Sequence, residues 1–268
     1  HRLEPLLMDA RYTHAVKPVA MYWSRIDLSL AQTHESLYGC ALDSPFHIYR
    51  TLRGLGYAVR WITPRQVLDG DLDKVGAVVL AGCNHIPRAV SSTLEAWIQS
   101  GGVVIGDDWP GAWDEYAQPQ TVLAPVFGVR KKAGKAKDKA SDIVLQESSQ
   151  GYGEVTDAAL VRREYYEKIE EIAQQPGATH PVARAVGDFM VSGIGPQSVD
   201  CFSGTVIGMT HRGSVGFVIN DYGKGKALYS ALLLGTIYES SGTRYEWDTT
   251  HAGLAYPRIL DAFLKYVG

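Results

Sequence analysis

The sequence is poor in cysteine and contains no long apolar run. Its three cysteines, Cys40, Cys83 and Cys201, lie far apart, with no Cys-x-x-Cys pair and no histidine pair at metal-ligand spacing. This spacing argues against a disulfide framework and against a metal site, and we expect no cofactor. No apolar run approaches the roughly 18 residues that a membrane-spanning helix needs, so we expect no membrane as partner.

The sequence also has no large excess of positive or of negative charge. The 268 residues include 26 lysines and arginines and 29 aspartates and glutamates, a net charge of -3. A balance so close to neutrality gives no reason to expect nucleic acid as partner. The lysine-rich stretch at 130–139 has no glycine-rich phosphate loop beside it, so a solvated loop or hairpin tip is the favoured interpretation.

The chain begins with His1 rather than methionine and lacks a basic-then-apolar leader. We therefore expect a processed chain or a segment of a longer one, with residues 1–17 as a leader or linker. The remaining residues, 18–268, suit a single α/β domain with an insertion around 130–200. No feature of the sequence indicates a cellular compartment.

A β-α-β unit is the most informative feature that the sequence does contain. Short runs rich in Val and Ile predict strands at 76–81 and 102–106, and a helix-like segment at 89–99 joins them. Upstream, the pattern predicts strands at 19–24 and 57–64. Between those two lies a predicted helix, 34–55, interrupted at Pro45. Such units build a parallel sheet.

The second half is predicted to be richer in strands. Apolar runs separated by glycine-containing turns predict four of them, at 199–202, 205–209, 215–220 and 227–234. An amphipathic helix is predicted at 157–175, a strand entry at His180–Pro181 and a terminal helix at 256–267. The predicted fold class is therefore α/β: a flavodoxin-like doubly wound, mostly parallel sheet with a β-rich C-terminal extension.

Polar and aromatic side chains follow the ends of the predicted strands. Because ligands of open parallel sheets bind outside the carboxyl ends of the strands, the candidate ligand-binding residues are Ser24, Arg25, Asn84, His85, Asp107, Asp108, Trp109 and Trp113. Strand order should reverse between the first and third strands and leave a polar depression that suits hydroxyl-rich ligands. Arg25 would offset the two carboxylates there. Aromatic residues at such places suit sugar or partner surfaces, although core packing is their commoner fate.

Two catalytic interpretations of this edge have simpler alternatives. Cys83 lies two residues from His85, which could support a thiolate, but Ala-Gly-Cys-Asn-His lacks the glycine pattern of a nucleophile elbow. A small buried cysteine is the simpler interpretation. Asp107 and Asp108 could divide acid and base roles, yet adjacent strand residues point apart, and one of them could cap the turn at Pro110–Gly111. We expect no catalytic residue here.

Several segments together resemble a known family. The strand-loop-helix-Gly-Gly-strand order at 76–106, the Asp114–Tyr116 segment and Leu123–Val129 look like the trimerisation domain of family 42 β-galactosidases, which is similar in fold to class I glutamine amidotransferases. His180–Val186 and Tyr222–Gly235 fit the same wider superfamily. The resemblance implies an amidotransferase-like fold. It also implies a homo-oligomer, or a carbohydrate-active catalytic domain as partner, with a carbohydrate as ligand.

The sequence departs from both catalytic patterns of these relatives. Amidotransferases of this fold carry a nucleophilic cysteine after the strand equivalent to 103–106, where this chain has Asp107-Asp108-Trp109. Cys83 lies one strand too early. The catalytic glutamates of family 42 lie on a separate barrel domain, and 268 residues do not hold such a barrel beside the assigned elements.

Two functions of different classes therefore stand as hypotheses. The first is a non-catalytic, amidotransferase-like domain associated with a β-galactosidase-like protein, for oligomerisation or for shaping a sugar site. The alternative is a stand-alone hydrolase that uses the strand-end crevice through Asn84, His85, Asp107 and Asp108. A sugar-binding module is a third interpretation.

Overall fold

The computed structural model describes residues 17–26, 29, 38–131, 169–194, 199–210, 213–236 and 255–268. Strands and helices alternate in the first half of the chain: β1 (Val19–Tyr22), α1 (Tyr38–Gly54), β2 (Val59–Ile62), α2 (Pro64–Leu68), a 3-10 turn (Asp71–Lys74), β3 (Ala77–Leu80), α3 (Arg88–Gln99) and β4 (Val103–Asp107). The predicted strands and helices of this half are confirmed, with ends that shift by a few residues.

Strands dominate the second half: α4 (Ala124–Phe127), β5 (Val129–Lys131), β6 (Ile169–Gln174), α5 (Pro181–Val186), β7 (Met190–Ile194), β8 (Val199–Cys201), β9 (Thr205–Thr210), β10 (Val215–Tyr222), β11 (Gly225–Ser230), a 3-10 turn (Leu234–Thr236) and α6 (Ala255–Val267). The four strands predicted at 199–234 are confirmed. The turn at Gly223 and Lys224 joins β10 to β11 as an antiparallel hairpin.

Nine strands form one sheet in the order β2-β1-β3-β4-β11-β10-β9-β6-β7. The pairs from β2 to β11 are parallel, and those from β11 to β7 are antiparallel. A second sheet pairs β5 with β8. The α/β class is thus confirmed, and the β-rich part extends the main sheet instead of forming a separate layer.

Apolar side chains cover both faces of β1, β3 and β4, which explains why their sequences read as nearly continuous apolar runs. On one face, the buried side chains of β1, β3 and β4 pack against α1 and α6. On the other face, the alternate side chains of the same strands pack against α3 and α4. Helix α3 contributes Val90, Leu94 and Ile98, which recur every four residues and are fully buried. No helix of the described residues is both long and apolar enough to cross a bilayer.

The helix predicted at 157–175 is wrong for residues 169–174, which form β6. The fully buried Ile172 explains the difference, because its side chain packs directly against Gly208 and Gly216. A Cβ atom added to either glycine would lie only 2.9 Å (Gly208) or 2.5 Å (Gly216) from Ile172 Cγ2. Two glycines on neighbouring strands thus make room for this one side chain. Packing outweighs the helical period of the segment. Residues 157–168 lie outside the described residues.

Two smaller predictions also change. His180–Pro181 begins α5 instead of a strand: Pro181 takes the first helical position, and His180 Nδ1 accepts a hydrogen bond from the Val182 amide at 3.2 Å. Helix α1 continues through Pro45, because the buried Ile48 and Leu52 hold it against the sheet. Residues 1–16 of the expected leader and 132–139 of the lysine-rich stretch lie outside the described residues.

Candidate functional site

The carboxyl ends of β1, β3 and β4 meet at one edge of the sheet. Strand β1 pairs directly with β3, and β3 pairs with β4. The thiol of Cys83, just after β3, lies 3.9 Å from the carbonyl oxygen of Tyr22 at the end of β1. The predicted neighbourhood of these two strand ends is confirmed, and their loops start side by side.

Asp107 is a fully buried carboxylate that connects three parts of the chain. Its Oδ1 accepts a hydrogen bond from the Gly82 amide at 2.6 Å. Its Oδ2 accepts from the Leu234 amide at 2.8 Å and from the Ser44 hydroxyl at 3.3 Å. Burial raises the pKa of Asp107 to about 7, because loss of solvation outweighs the hydrogen bonds that favour the charged form. This side chain connects the loop after β3, the 3-10 turn after β11 and the first half of α1.

Asp108 faces a different set of groups. Its Oδ2 accepts a hydrogen bond from Asn84 Nδ2 at 2.8 Å, and its carbonyl oxygen accepts one from the Tyr229 hydroxyl at 2.7 Å. Asp108 takes a left-handed backbone conformation with φ 58°, which aspartate tolerates better than most residues. Burial, with the negative charges of the two aspartates, raises the pKa of Tyr229. The adjacent carboxylates therefore have separate partners and separate roles.

The loop after β4 folds over the loop after β3. The ring of Trp113 stacks on His85 at 5.3 Å with an interplanar angle of 23°, and His85 is 0% exposed. The Trp113 amide donates to the Asn84 carbonyl at 3.0 Å, and the Ile86 amide donates to the Trp113 carbonyl at 3.0 Å. His85 is therefore an interior side chain beneath an indole, out of reach of a substrate in solvent.

Gln120 ties the two loops together. Its Nε2 donates to the carbonyl oxygen of Ile86 at 2.6 Å and to that of Trp113 at 2.9 Å. Nothing in the sequence distinguishes Gln120, because a polar side chain in an irregular stretch has no periodic pattern that would mark it. Only the fold brings its partners within reach.

Cys83 is confirmed as a small buried cysteine. The thiol is directed at the Ala81 carbonyl oxygen at 3.3 Å, and the residue is 4% exposed within an apolar cluster. Its own carbonyl accepts the Gly111 amide at 2.8 Å. The ring of the nearby His85 lies against Trp113.

Asp114 organises the tip of the loop that covers this edge. Its Oδ1 accepts from the amides of Tyr116 and Gln118, both at 2.9 Å, and its Oδ2 accepts from Arg88 at 3.3 Å. These hydrogen bonds, led by that from Gln118, lower the pKa of Asp114. Glu115 accepts the backbone amide of Arg88 at 2.8 Å. Both acidic side chains thus anchor the loop to the start of α3.

The eight predicted site residues lie around this edge, but most are buried. Ser24, Asn84, His85, Asp107 and Asp108 are each at most 7% exposed. Trp109 and Trp113 are half-buried, and Arg25 is exposed. Instead of Arg25, backbone amides and a hydroxyl counter the Asp107 charge. The edge is a packed polar layer, and ligand binding there stays a prediction.

Some polar atoms of this layer and its covering loop are buried without a hydrogen-bond partner in the described part of the chain: Asn84 Oδ1, Trp109 Nε1 and Gln120 Oε1. Buried acceptors and donors left in this way are uncommon in folded proteins. Among the described residues, no three His, Cys, Asp or Glu side chains come together in a way that could hold a metal ion.

No protein-family model matches the chain, and no curated protein matches it. Solved structures do. A β-galactosidase from Rahnella sp. R3 is 17% identical with a TM-score of 0.61, over 94% of this chain and 31% of that one. Gan42B, a GH42 β-galactosidase from G. stearothermophilus, is 12% identical with a TM-score of 0.53, over 81% and 27%.

The exo-β-1,4-mannosidase Op5Man5 from Opitutaceae bacterium strain TAV5 is 12% identical, with a TM-score of 0.55 over 97% of this chain and 38% of that one. The chain thus spans about a third of the length of these solved structures. At such identities the likeness concerns the fold alone. This chain has the fold of a portion of several glycoside hydrolases.

Proposed function

We propose that this chain is a non-catalytic, amidotransferase-like domain of a β-galactosidase-like, carbohydrate-active protein, in which it serves oligomerisation or shapes a sugar site. Residues 18–268 would be one flavodoxin-like doubly wound domain, with an insertion around 130–200. The similar portions of longer glycoside hydrolase chains support an associated role.

The observation that carries this proposal is the use of Asp107. Amidotransferases of this fold are expected to hold their nucleophile in the elbow after the strand residues equivalent to 103–106. Here that elbow begins with Asp107, a fully buried carboxylate with three hydrogen-bond donors around it. A group that is needed to join three chain segments, and that no solvent reaches, is unsuited to attack a substrate.

Turnover assays test the proposal. The protein is incubated with glutamine and with a panel of aryl galactosides, and neither should react above the blank. The matched variants are Cys83→Ala, which removes the buried thiol, and Cys201→Ala, which removes a partly exposed thiol on β8. Sustained turnover that Cys83→Ala abolishes and Cys201→Ala spares would contradict the proposal.

One contact favours the alternative, a stand-alone hydrolase. Asn84 and Asp108 converge to 2.8 Å, which is close enough for two groups to act on a shared atom. Against it, Trp113 covers the neighbouring His85. Asp108→Asn decides between the two functions: if the wild type hydrolyses a galactoside and this variant does not, the hydrolase is correct.

A further inference from the structure

Exposed apolar side chains concentrate around one edge of the sheet. Six large apolar side chains of the described residues are exposed, and four of them lie near β2 in the chain or in the sheet. Phe46 lies in α1, Leu55 directly after it and Leu68 in α2, whereas Ile26 follows β1, the neighbour of β2. Strand β2 is itself the edge strand of the nine-stranded sheet. Sheet edges are places where chains associate, and exposed apolar side chains can contribute to such contacts.

Four aromatic rings give this edge a fixed shape. Phe46 lies 5.6 Å from Trp23 and 5.6 Å from Trp61, and Tyr49 stacks on Trp61 at 5.6 Å with an interplanar angle of 15°. Phe46 nonetheless remains 47% exposed. A ring that its neighbours already hold in place loses little conformational entropy when a partner covers it.

The outer face of α1 carries rings and guanidinium groups in a regular pattern. Phe46, Tyr49, Arg50 and Arg53 follow the i, i+3, i+4, i+7 spacing, which places them on one face of the helix. The opposite face holds the buried Ile48. Arg50 and Arg53 are exposed and form no ion pair with a carboxylate of the described residues.

This pattern is complementary to itself under a two-fold rotation. If the axis passes between positions 49 and 50 of two antiparallel copies of α1, position 46 meets position 53 of the partner, and position 49 meets position 50. Every aromatic ring then faces a guanidinium group. Arginine stacks on aromatic faces, and a two-fold contact of this kind uses the same surface on both protomers.

We propose that α1 binds α1 of a second copy of this chain in this isologous arrangement, with Phe46 against the partner's Arg53 and Tyr49 against the partner's Arg50. An acidic partner would suit the arginines but would bring carboxylates to ring faces, which repel negative charge. The inference deepens the oligomerisation part of the proposed function and rests on it in that respect.

Sedimentation equilibrium of the full chain, over about two decades of concentration, tests the pairing. Phe46→Lys places a cation opposite the partner's Arg53 at two symmetric positions, and the dimer dissociation constant should rise roughly thirtyfold or more. Phe46→Glu removes the same ring but supplies a carboxylate to that arginine, so the constant should stay within about fivefold of the wild type. The double variant Phe46→Lys, Arg53→Glu should regain the dimer.

Arg184→Glu is the matched control, since Arg184 is an exposed helical arginine on α5, and it should leave the dimer unchanged. A wild-type chain that stays monomeric would overturn the inference, as would equal loss in Phe46→Lys and Phe46→Glu. An oligomer whose dissociation constant is the same in all of these variants would also overturn it. A monomeric wild type would also contradict the proposed oligomerisation, whereas the other two outcomes leave it standing, and none of the three alters the glutamine and galactoside assays.

Discussion

Replacing Asp107 with asparagine should change how stability depends on pH. In the folded state burial raises the pKa of this carboxyl from 3.8 to about 7. The folded state therefore holds the proton up to about pH 7, whereas the unfolded chain releases it near pH 3.8. The contribution of this group to stability is fully present below pH 3.8 and is lost as the pH rises through about 7. Asparagine does not titrate, so the variant lacks this dependence.

The structure sets the size of the effect. A change in carboxyl pKa from 3.8 to about 7 corresponds to about 4 kcal/mol between the two limits. Asparagine keeps one acceptor oxygen, but its amino group would face the backbone N–H of Gly82 or of Leu234, so that two donors meet. The lost hydrogen bond lowers the free energy of unfolding by about 1–3 kcal/mol at any pH. We expect the variant to be less stable by about 2 kcal/mol at pH 4.5, and the difference to shrink or reverse by pH 8.

Urea unfolding followed by tryptophan fluorescence measures this difference from pH 4.5 to 8.5. Asp73→Asn is the control, because it removes an exposed carboxylate from the acidic turn before β3. Its stability difference from the wild type should stay within about 0.5 kcal/mol throughout. If the stability difference between wild type and Asp107→Asn is constant over this range, Asp107 does not have the raised pKa that we assign to this buried carboxyl.

Three further outcomes follow from other contacts. His180 caps α5 through Nδ1, and burial lowers the pKa of its imidazole. The stabilisation by this cap is therefore fully present above pH 6.5 and is lost as the pH falls through the folded-state pKa. His180→Ala should lower the free energy of unfolding, measured with urea, by about 1 kcal/mol at pH 8 and by less at pH 5. Gly216→Ala should destabilise by about 2 kcal/mol or more, because its Cβ would stand 2.5 Å from Ile172, and Ile172→Ala in the same chain should recover part of the loss. Gln120→Leu should speed proteolysis of the loop around Trp113 while Gln118→Leu does not, since only Gln120 donates to Ile86; equal rates in these two variants would contradict its bracing role.

Much of the architecture could be predicted from local pattern. Strands β1, β3 and β4 are short runs of mostly apolar residues, since each is buried on both faces, and α3 shows the spacing of a helix with one buried face. The β10–β11 hairpin follows from two apolar runs around a glycine-containing turn. The period of α3 and the turn between β10 and β11 are local in the chain, and the apolar composition of the strands records their burial, so composition and period were sufficient.

The sequence alone also located the edge at which polar side chains gather, because parallel strands must end together. It also determined that no cysteine stands at positions 107–109, where amidotransferases of this fold are expected to carry their nucleophile. It could not determine what those side chains do. The donors that surround Asp107 come from positions 25, 63 and 127 residues away, and Trp113 covers His85 only because two loops fold together.

Tertiary structure alone decided that residues 169–174 form a strand, because Ile172 fits against glycines of two other strands. It also decided that most of the predicted site is buried. Burial, pKa and hydrogen-bond partners depend on segments distant in the chain, whose approach no local pattern records. The period of a sequence reports which side of an element faces the core, whereas the chemistry of a side chain depends on what the rest of the fold brings to it.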